Sequence, residues 1–203
     1  MSGGGIGPIL TIGHSNHPIE KLLSLLQASG AEVVVDTRSQ PYSKYTVQFN
    51  REALQSAIAG GGMKYIYLGR ELGGRPDGSG FYDAEGHVLY AKVAASPQFR
   101  EGIERVLAGS ERYRVALLCS EEDPSDCHRR LLVGRVLAEH GGALILHIRA
   151  DGRLQREEDL RAELEAEHPE RAQLALFDPP ERDEWKSTRS VLQRKAPESS
   201  STV

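Results

Sequence analysis

Cysteine is scarce in this chain: two residues in 203. Two thiols do not make a disulfide framework, so a reducing cytoplasm is the expected compartment. Long apolar runs are absent too; none approaches the roughly 20 residues of a membrane-spanning helix, and no membrane partner is expected. The opening MSGGGIGP lacks a basic stretch followed by a long apolar one, so a signal peptide is not expected. Nor is there an excess of positive charge. The formal net charge is −4. Residues 151–203 hold 9 of the 25 basic and 13 of the 29 acidic groups, leaving residues 1–150 neutral with 16 of each. That balance argues against sequence-blind duplex binding on a broad basic face, but leaves room for a local basic pocket.

What is present suits one domain and a tail. Short apolar runs at 9–13 (ILTIG), 32–36 (EVVVD), 63–68 (MKYIYL), 114–119 (RVALLC) and 143–148 (ALILHI) read as strands. Helical patterns lie between them. HPIEKLLSLLQASG stops at Gly30; FNREALQSAIAGGG has Asn50 as N-cap. SPQFREGIERVLAG has Ser96 as cap and Pro97 at its first position, and DPSDCHRRLLVGRVLAEHGG is capped by Asp123 and ended by Gly141. GRELGGRPDGSGFYDAEGH reads as a glycine-rich loop. The predicted fold is α/β, a three-layer, Rossmann-like sandwich with a mostly parallel sheet of about five strands and helices on both faces. Residues 1–150 form this single domain. Residues 151–203 follow as a polar helix, LQREEDLRAELEAEH, and a disordered tail from residue 179.

Ligands of open parallel sheets bind beyond the carboxyl ends of the strands. Here those ends carry GHSNH (13–17), DTRSQP (36–41), GRELGGR (69–75) and CSEEDPSDCHR (119–129). All are predicted to emerge at one edge. These motifs, with QFNREAL and the order in which they occur, resemble the family called domain of unknown function 488, over roughly residues 8–150. The segment from Cys119 to CHR is the most specific part. The resemblance implies an α/β sandwich with a polar pocket formed by these motifs, and it supplies no reaction.

Each candidate has a plain alternative. Cys127, in the first turn of a helix capped by Asp123, would meet free amides that favour a thiolate; Glu121, Glu122 and Asp123 oppose this, and Arg129 and Arg130 support it. It is the leading nucleophile and the more accessible thiol, ahead of Cys119. Alternatively both cysteines pack as small apolar groups, or Cys119, Cys127 and His14 hold a divalent metal, although their eight-residue step is not the tight spacing of familiar zinc sites. His14 is a candidate general base, with Ser15 and Asn16 as positioning groups, or a backbone-bonded turn residue. Asp36 would orient a partner beside Arg38, an anion-binding guanidinium, or simply pair with it. Glu71 and Glu121 are candidate general acids or bases if desolvated, and otherwise solvated loop residues. Arg129, with the helix amides, and Arg75 complete the substrate-binding set.

Residues 36–75 carry six basic and three acidic groups, with Tyr42, Tyr45 and Phe49 among Lys44 and Arg51. Cations interleaved with aromatics suit phosphates and stacked bases. In the tail, Gln173, Leu174, Ala175, Leu176 and Phe177 resemble the peptide by which bacterial repair and replication proteins hold the sliding clamp. The leading expectation is an enzyme acting on a phosphate-bearing nucleotide or nucleic-acid component by hydrolysis or group transfer. A non-catalytic adaptor binding DNA and the clamp, or a metal or redox sensor, are the alternatives.

Overall fold

The computed structural model describes residues 6–167 and 185–191. In chain order the main elements are β1 (Ile9–Gly13), α1 (Ile19–Ala28), β2 (Val33–Asp36), α2 (Arg51–Gly60), β3 (Lys64–Tyr67), α3 (Gly69–Leu72), α4 (Tyr90–Ala95), α5 (Pro97–Ser110) and β4 (Val115–Cys119). A π-helical stretch (Arg129–Gly134), α6 (Arg135–Gly141), β5 (Ile145–Ile148), β6 (Leu154–Arg156) and α7 (Glu157–Glu167) follow. The sheet order is β3-β2-β4-β1-β5-β6, parallel except for β6. No described helix is long and apolar enough to cross a membrane.

Strand side chains alternate between two apolar clusters. Leu10, Ile12, Val34, Ala116 and Leu118 pack with Leu22, Leu26, Leu54 and Ile58 of α1 and α2. Ile9, Val33, Val35, Val115 and Leu117 pack instead with Phe99, Ile103, Val136 and Leu137 of α5 and α6. Local signals place the helices. Ser96 Oγ accepts a hydrogen bond from the Phe99 N–H, and Pro97 starts α5 where its missing N–H costs nothing. Chain leaving β1 and β2 enters helices on one face, whereas chain leaving β4, which lies between them, enters helices on the other. A crevice therefore opens at the carboxyl end of β4, where such sheets bind ligands.

Several elements depart from expectation. There are six strands: β6 occupies the start of the segment read as one polar helix, with Gln155 buried and its neighbours exposed. The glycine-rich stretch contains α3 and a 3-10 turn, Ser79–Phe81. Asp123 does not cap the long helix. Its Oδ1 accepts from Ser125 N–H and Oγ–H in a local turn, and helix begins only at His128. Asn50 stands before α2, yet its Oδ1 accepts from the Ser43 N–H rather than capping the helix. Residues 185–191, expected to be disordered, pack on the body. Trp185 Nε1 donates to the Leu131 carbonyl, its ring meets Tyr90 edge-on, and Lys186 bridges to Leu89. The segment 173–177 lies outside the described residues.

Candidate active site

At the end of β2, Asp36 is fully buried and accepts from Arg38 Nε (2.9 Å), Arg38 Nη2 (2.7 Å), the Arg38 backbone N–H (3.1 Å) and the Tyr65 hydroxyl (2.7 Å). Arg38 Nη1 donates to His14 Nε2 at 3.1 Å. Since arginine can only donate, that nitrogen accepts, so the proton sits on Nδ1 and is given to the Ser15 carbonyl at 2.6 Å. His14 is stacked on Phe49 and buried. Burial, then the adjacent Arg38 charge, lowers its pKa from 6.5 to about 4. With both ring nitrogens engaged, His14 is not placed to shuttle protons; it holds Arg38, which lines the cavity.

The neutral His14 has a consequence for stability. Unfolded chain takes up a proton near pH 6.5, folded chain only near pH 4. Stability tied to His14 is therefore present above pH 6.5 and lost as pH falls towards 4, by roughly 2–3 kcal/mol between pH 7 and 4.5. Arg38, Asp36 and Cys119 are the charged or titratable groups acting on it, and their own contributions remain in a His14→Gln variant. The variant should show a shallower loss of urea midpoint over that range; parallel curves for the two proteins would refute the assignment.

At the end of β4 the two thiols and His128 come together. His128 Nδ1 lies 3.7 Å from Cys119 Sγ and 3.9 Å from Cys127 Sγ, and Nε2 lies 3.2 Å from the Thr37 carbonyl oxygen. A carbonyl only accepts, so Nε2 carries a proton and Nδ1 faces the sulfurs. Gly74 packs directly on the ring: a Cβ there would fall 2.7 Å from His128 Cγ. Both thiols are free and buried. The hydrogen bond from Cys127, followed by the effects of His128 and Arg129, holds the Cys119 thiol well below its ordinary range despite burial. Cys127 moves the other way, raised by its hydrogen bond to Cys119 and by burial. Burial pulls His128 down, but the Cys119 charge, the hydrogen bond to that sulfur and the bond to Thr37 leave it raised. The pair is polarised towards thiolate and imidazolium.

Arg129 lies beneath the next loop with 1% exposure. Its Nη1 donates to the Glu121 carbonyl, Nη2 to the Glu122 carbonyl at 2.6 Å, and Nε to Thr11 Oγ1 at 3.4 Å. The same loop crosses Gly13 so closely that a Cβ would fall 1.6 Å from the Glu121 carbonyl oxygen. No side chain fits there.

The cavity at this edge has a volume of about 270 Å³. Arg38, Arg75, Cys119, Glu121 and His128 line it, and Ser187, Thr188 and Arg189 of the C-terminal segment close one wall. Arg189 also pairs with Asp126 at 3.3 Å. A second cavity of about 380 Å³ shares Ser39 and Gln40 with the first and adds Tyr42, Arg51, Tyr67 and Arg70.

The candidates thus divide. Arg38, Arg75 and Glu121 line the cavity, as does Cys119. His14 and Asp36 stand behind Arg38. Glu71 turns away: because its segment is helical, its carboxylate reaches Arg105 of α5 at 2.9 Å. Arg129 does not line the cavity: it is buried, and three of its N–H groups hold the Glu121 and Glu122 carbonyls and the Thr11 hydroxyl. Ser15 and Asn16 do not line the cavity; the Ser15 N–H donates to the Ser120 carbonyl, and its φ is +48°. Cys127 does not line it either. Its N–H bonds the Pro124 carbonyl because the helix starts one residue later, and it is less exposed than Cys119 (1% against 6%). His14 also falls outside the sulfur–nitrogen cluster, where His128 takes its place. Sequence reasoning does not single out His128, although it stands beside Cys127; Thr37 and Arg189 are likewise missed.

A model described as Domain of unknown function DUF488 matches residues 18–136, more than half the chain. The chain belongs to this family. No curated protein and no solved structure matches it. The DUF488 match spans β2, β3 and β4 with the Asp36, Arg38, Cys119 and CHR motifs, but begins after β1 and His14.

Proposed function

We propose that this cavity is the active site of an enzyme that acts on a phosphate-bearing nucleotide or nucleic-acid component, with Cys119 as nucleophile. The observation that carries the reading is the 3.7 Å approach of His128 Nδ1 to Cys119 Sγ at the wall of a cavity lined by arginines. The Thr37 carbonyl fixes the ring, as the third member of a nucleophile–base–orienter arrangement does. Arg38 has given three N–H groups to Asp36 and His14, leaving the other two of a guanidinium's five donors for an anion. Arg75, whose side chain makes no ion pair among the described residues, adds a second cation.

In the reaction, Cys119 thiolate attacks the electrophilic atom of the substrate and a sulfur bond forms. The bond from that atom to its leaving oxygen breaks, and His128 gives that oxygen its proton. Water or an acceptor hydroxyl then attacks the intermediate while His128 takes its proton, releasing product and regenerating the thiolate. This is group transfer or hydrolysis without an external oxidant or reductant. Glu121, exposed at the cavity wall, is the group we assign to assist the second proton transfer. The exposed Tyr42 and Tyr45, with Lys44 over the Tyr45 ring at 5.0 Å, support a nucleic acid as the larger form of substrate.

The test pairs turnover with intact mass. Full-length protein is offered a panel of nucleotides and short single-stranded oligonucleotides, and products and covalent adducts are followed. Cys119→Ser should abolish both turnover and adduct, a loss of at least about a thousandfold. Cys127→Ser should retain measurable turnover. Equal loss in both variants, or turnover that survives Cys119→Ser, would reject Cys119 as nucleophile.

A further inference from the structure

We infer that Cys119, Cys127 and His128 form a three-ligand site for a thiophilic divalent cation, zinc foremost, with its fourth position open to the cavity. The donor atoms of all three lie within 4.8 Å of one another. Zinc bonds to sulfur at about 2.3 Å and to imidazole nitrogen at about 2.0–2.1 Å; a tetrahedron with those bonds has a sulfur–nitrogen edge of about 3.6 Å. The two observed edges are 3.7 and 3.9 Å. The cluster therefore already has nearly the spacing that an ion at its centre requires.

The surroundings agree. A zinc-bound histidine characteristically donates its other ring N–H to a carbonyl or carboxylate, which fixes the tautomer. Here the Thr37 carbonyl fills that place and leaves Nδ1 towards the sulfurs. Gly74 packs against the ring and limits its movement. The set has two sulfurs, one nitrogen and no oxygen, which favours zinc over magnesium, calcium or manganese. Cys119 and His128 line the cavity while Cys127 does not, so the open position faces the cavity rather than the core.

Occupancy has a consequence that rests on the reading of Cys119 as nucleophile. Zinc on His128 Nδ1 takes the place of the proton that the ring gives to the leaving oxygen, and zinc on Cys119 lowers the nucleophilicity of its sulfur, so the zinc-loaded protein is the blocked form and the metal-free protein the active one.

Binding is tested without reference to turnover. Full-length, tag-free protein is stripped with chelator under reducing conditions and titrated with Co²⁺. We expect one equivalent per chain, a sulfur-to-cobalt charge-transfer band, the visible absorption of tetrahedral cobalt, and displacement of both by Zn²⁺. Cys127→Ser and His128→Ala should each weaken binding at least tenfold, whereas His14→Gln should not. Absence of the tetrahedral spectrum, or unchanged affinity in Cys127→Ser, would overturn the site. Should either variant misfold, alkylation of wild-type protein decides: zinc should protect both thiols, and equal labelling with and without zinc would refute binding. Zinc binding without any Cys119-dependent turnover would leave the site standing and remove the enzyme reading. Full turnover of zinc-saturated protein would remove the blocking role alone.

Discussion

Replacing Asp36 with alanine is expected to cost about 3–5 kcal/mol of stability, the range for removing one partner of a buried ion pair. Asp36 is wholly inaccessible, and Arg38 beside it is 6% exposed. Without the carboxylate, the guanidinium keeps its charge but loses its partner, and the Tyr65 hydroxyl loses its acceptor. The cost comes mainly from the stranded cation rather than from the missing bonds. A second substitution should therefore recover much of it: Asp36→Leu with Arg38→Met replaces the pair by apolar groups, an exchange that is often neutral or better. Urea midpoints of the wild type, both single variants and the double variant provide the measurement. If the double variant is no more stable than Asp36→Ala, the stranded charge is not the source of the loss.

The other large effect is expected at Arg129. Replacing it with methionine fills similar space but withdraws three donors. The carbonyls of Glu121 and Glu122 would be left to find other partners, whereas the Thr11 hydroxyl keeps its 2.8 Å bond to His147 Nδ1. Hydrogen bonds to a charged group are worth about 1.5–3 kcal/mol each, and a buried polar group left unsatisfied costs about 1–3 kcal/mol. We expect a loss of at least about 3 kcal/mol by denaturant unfolding, together with faster amide exchange at Ser15, whose N–H is bonded to the neighbouring Ser120 carbonyl. A loss below about 1 kcal/mol would show that water satisfies the loop equally well.

These two arginines show what sequence could and could not reveal. The alternation of apolar runs and helical patterns was enough to place β1, β2, β4 and β5 within two residues, and the strand-end rule brought Arg38, Arg75 and Glu121 to one edge. Burial is what the pattern could not convey. Arg129 reads in sequence as a helix-start cation, and only the crossing of residues 121–122 over Gly13 turns its donors inward. His14 reads as a base until Arg38 is seen to occupy its Nε2. Cys127 reads as a first-turn residue because Asp123 resembles a helix cap, yet Asp123 closes a separate turn and the helix starts four residues later than that cap predicts, at His128. The π-helical stretch that follows has no simple sequence signature. Glu71 was misread because four residues of helix lie inside a glycine-rich segment.

The position of β1 bears on where the chain can be cut. The DUF488 match opens at residue 18, yet β1 spans Ile9–Gly13 and lies between β4 and β5 in the sheet. A fragment trimmed to the matched boundaries, residues 18–136, would lose β1, β5 and β6, half of the sheet. β4 would lose its partner on one side, and Ile9, Leu10 and Ile12 would vanish from both apolar clusters. Such a piece would also lack Trp185 and the residues that close the cavity wall. The unit recognisable by sequence and the unit able to fold are thus different lengths of the same chain, and expression of the shorter one should yield aggregated protein.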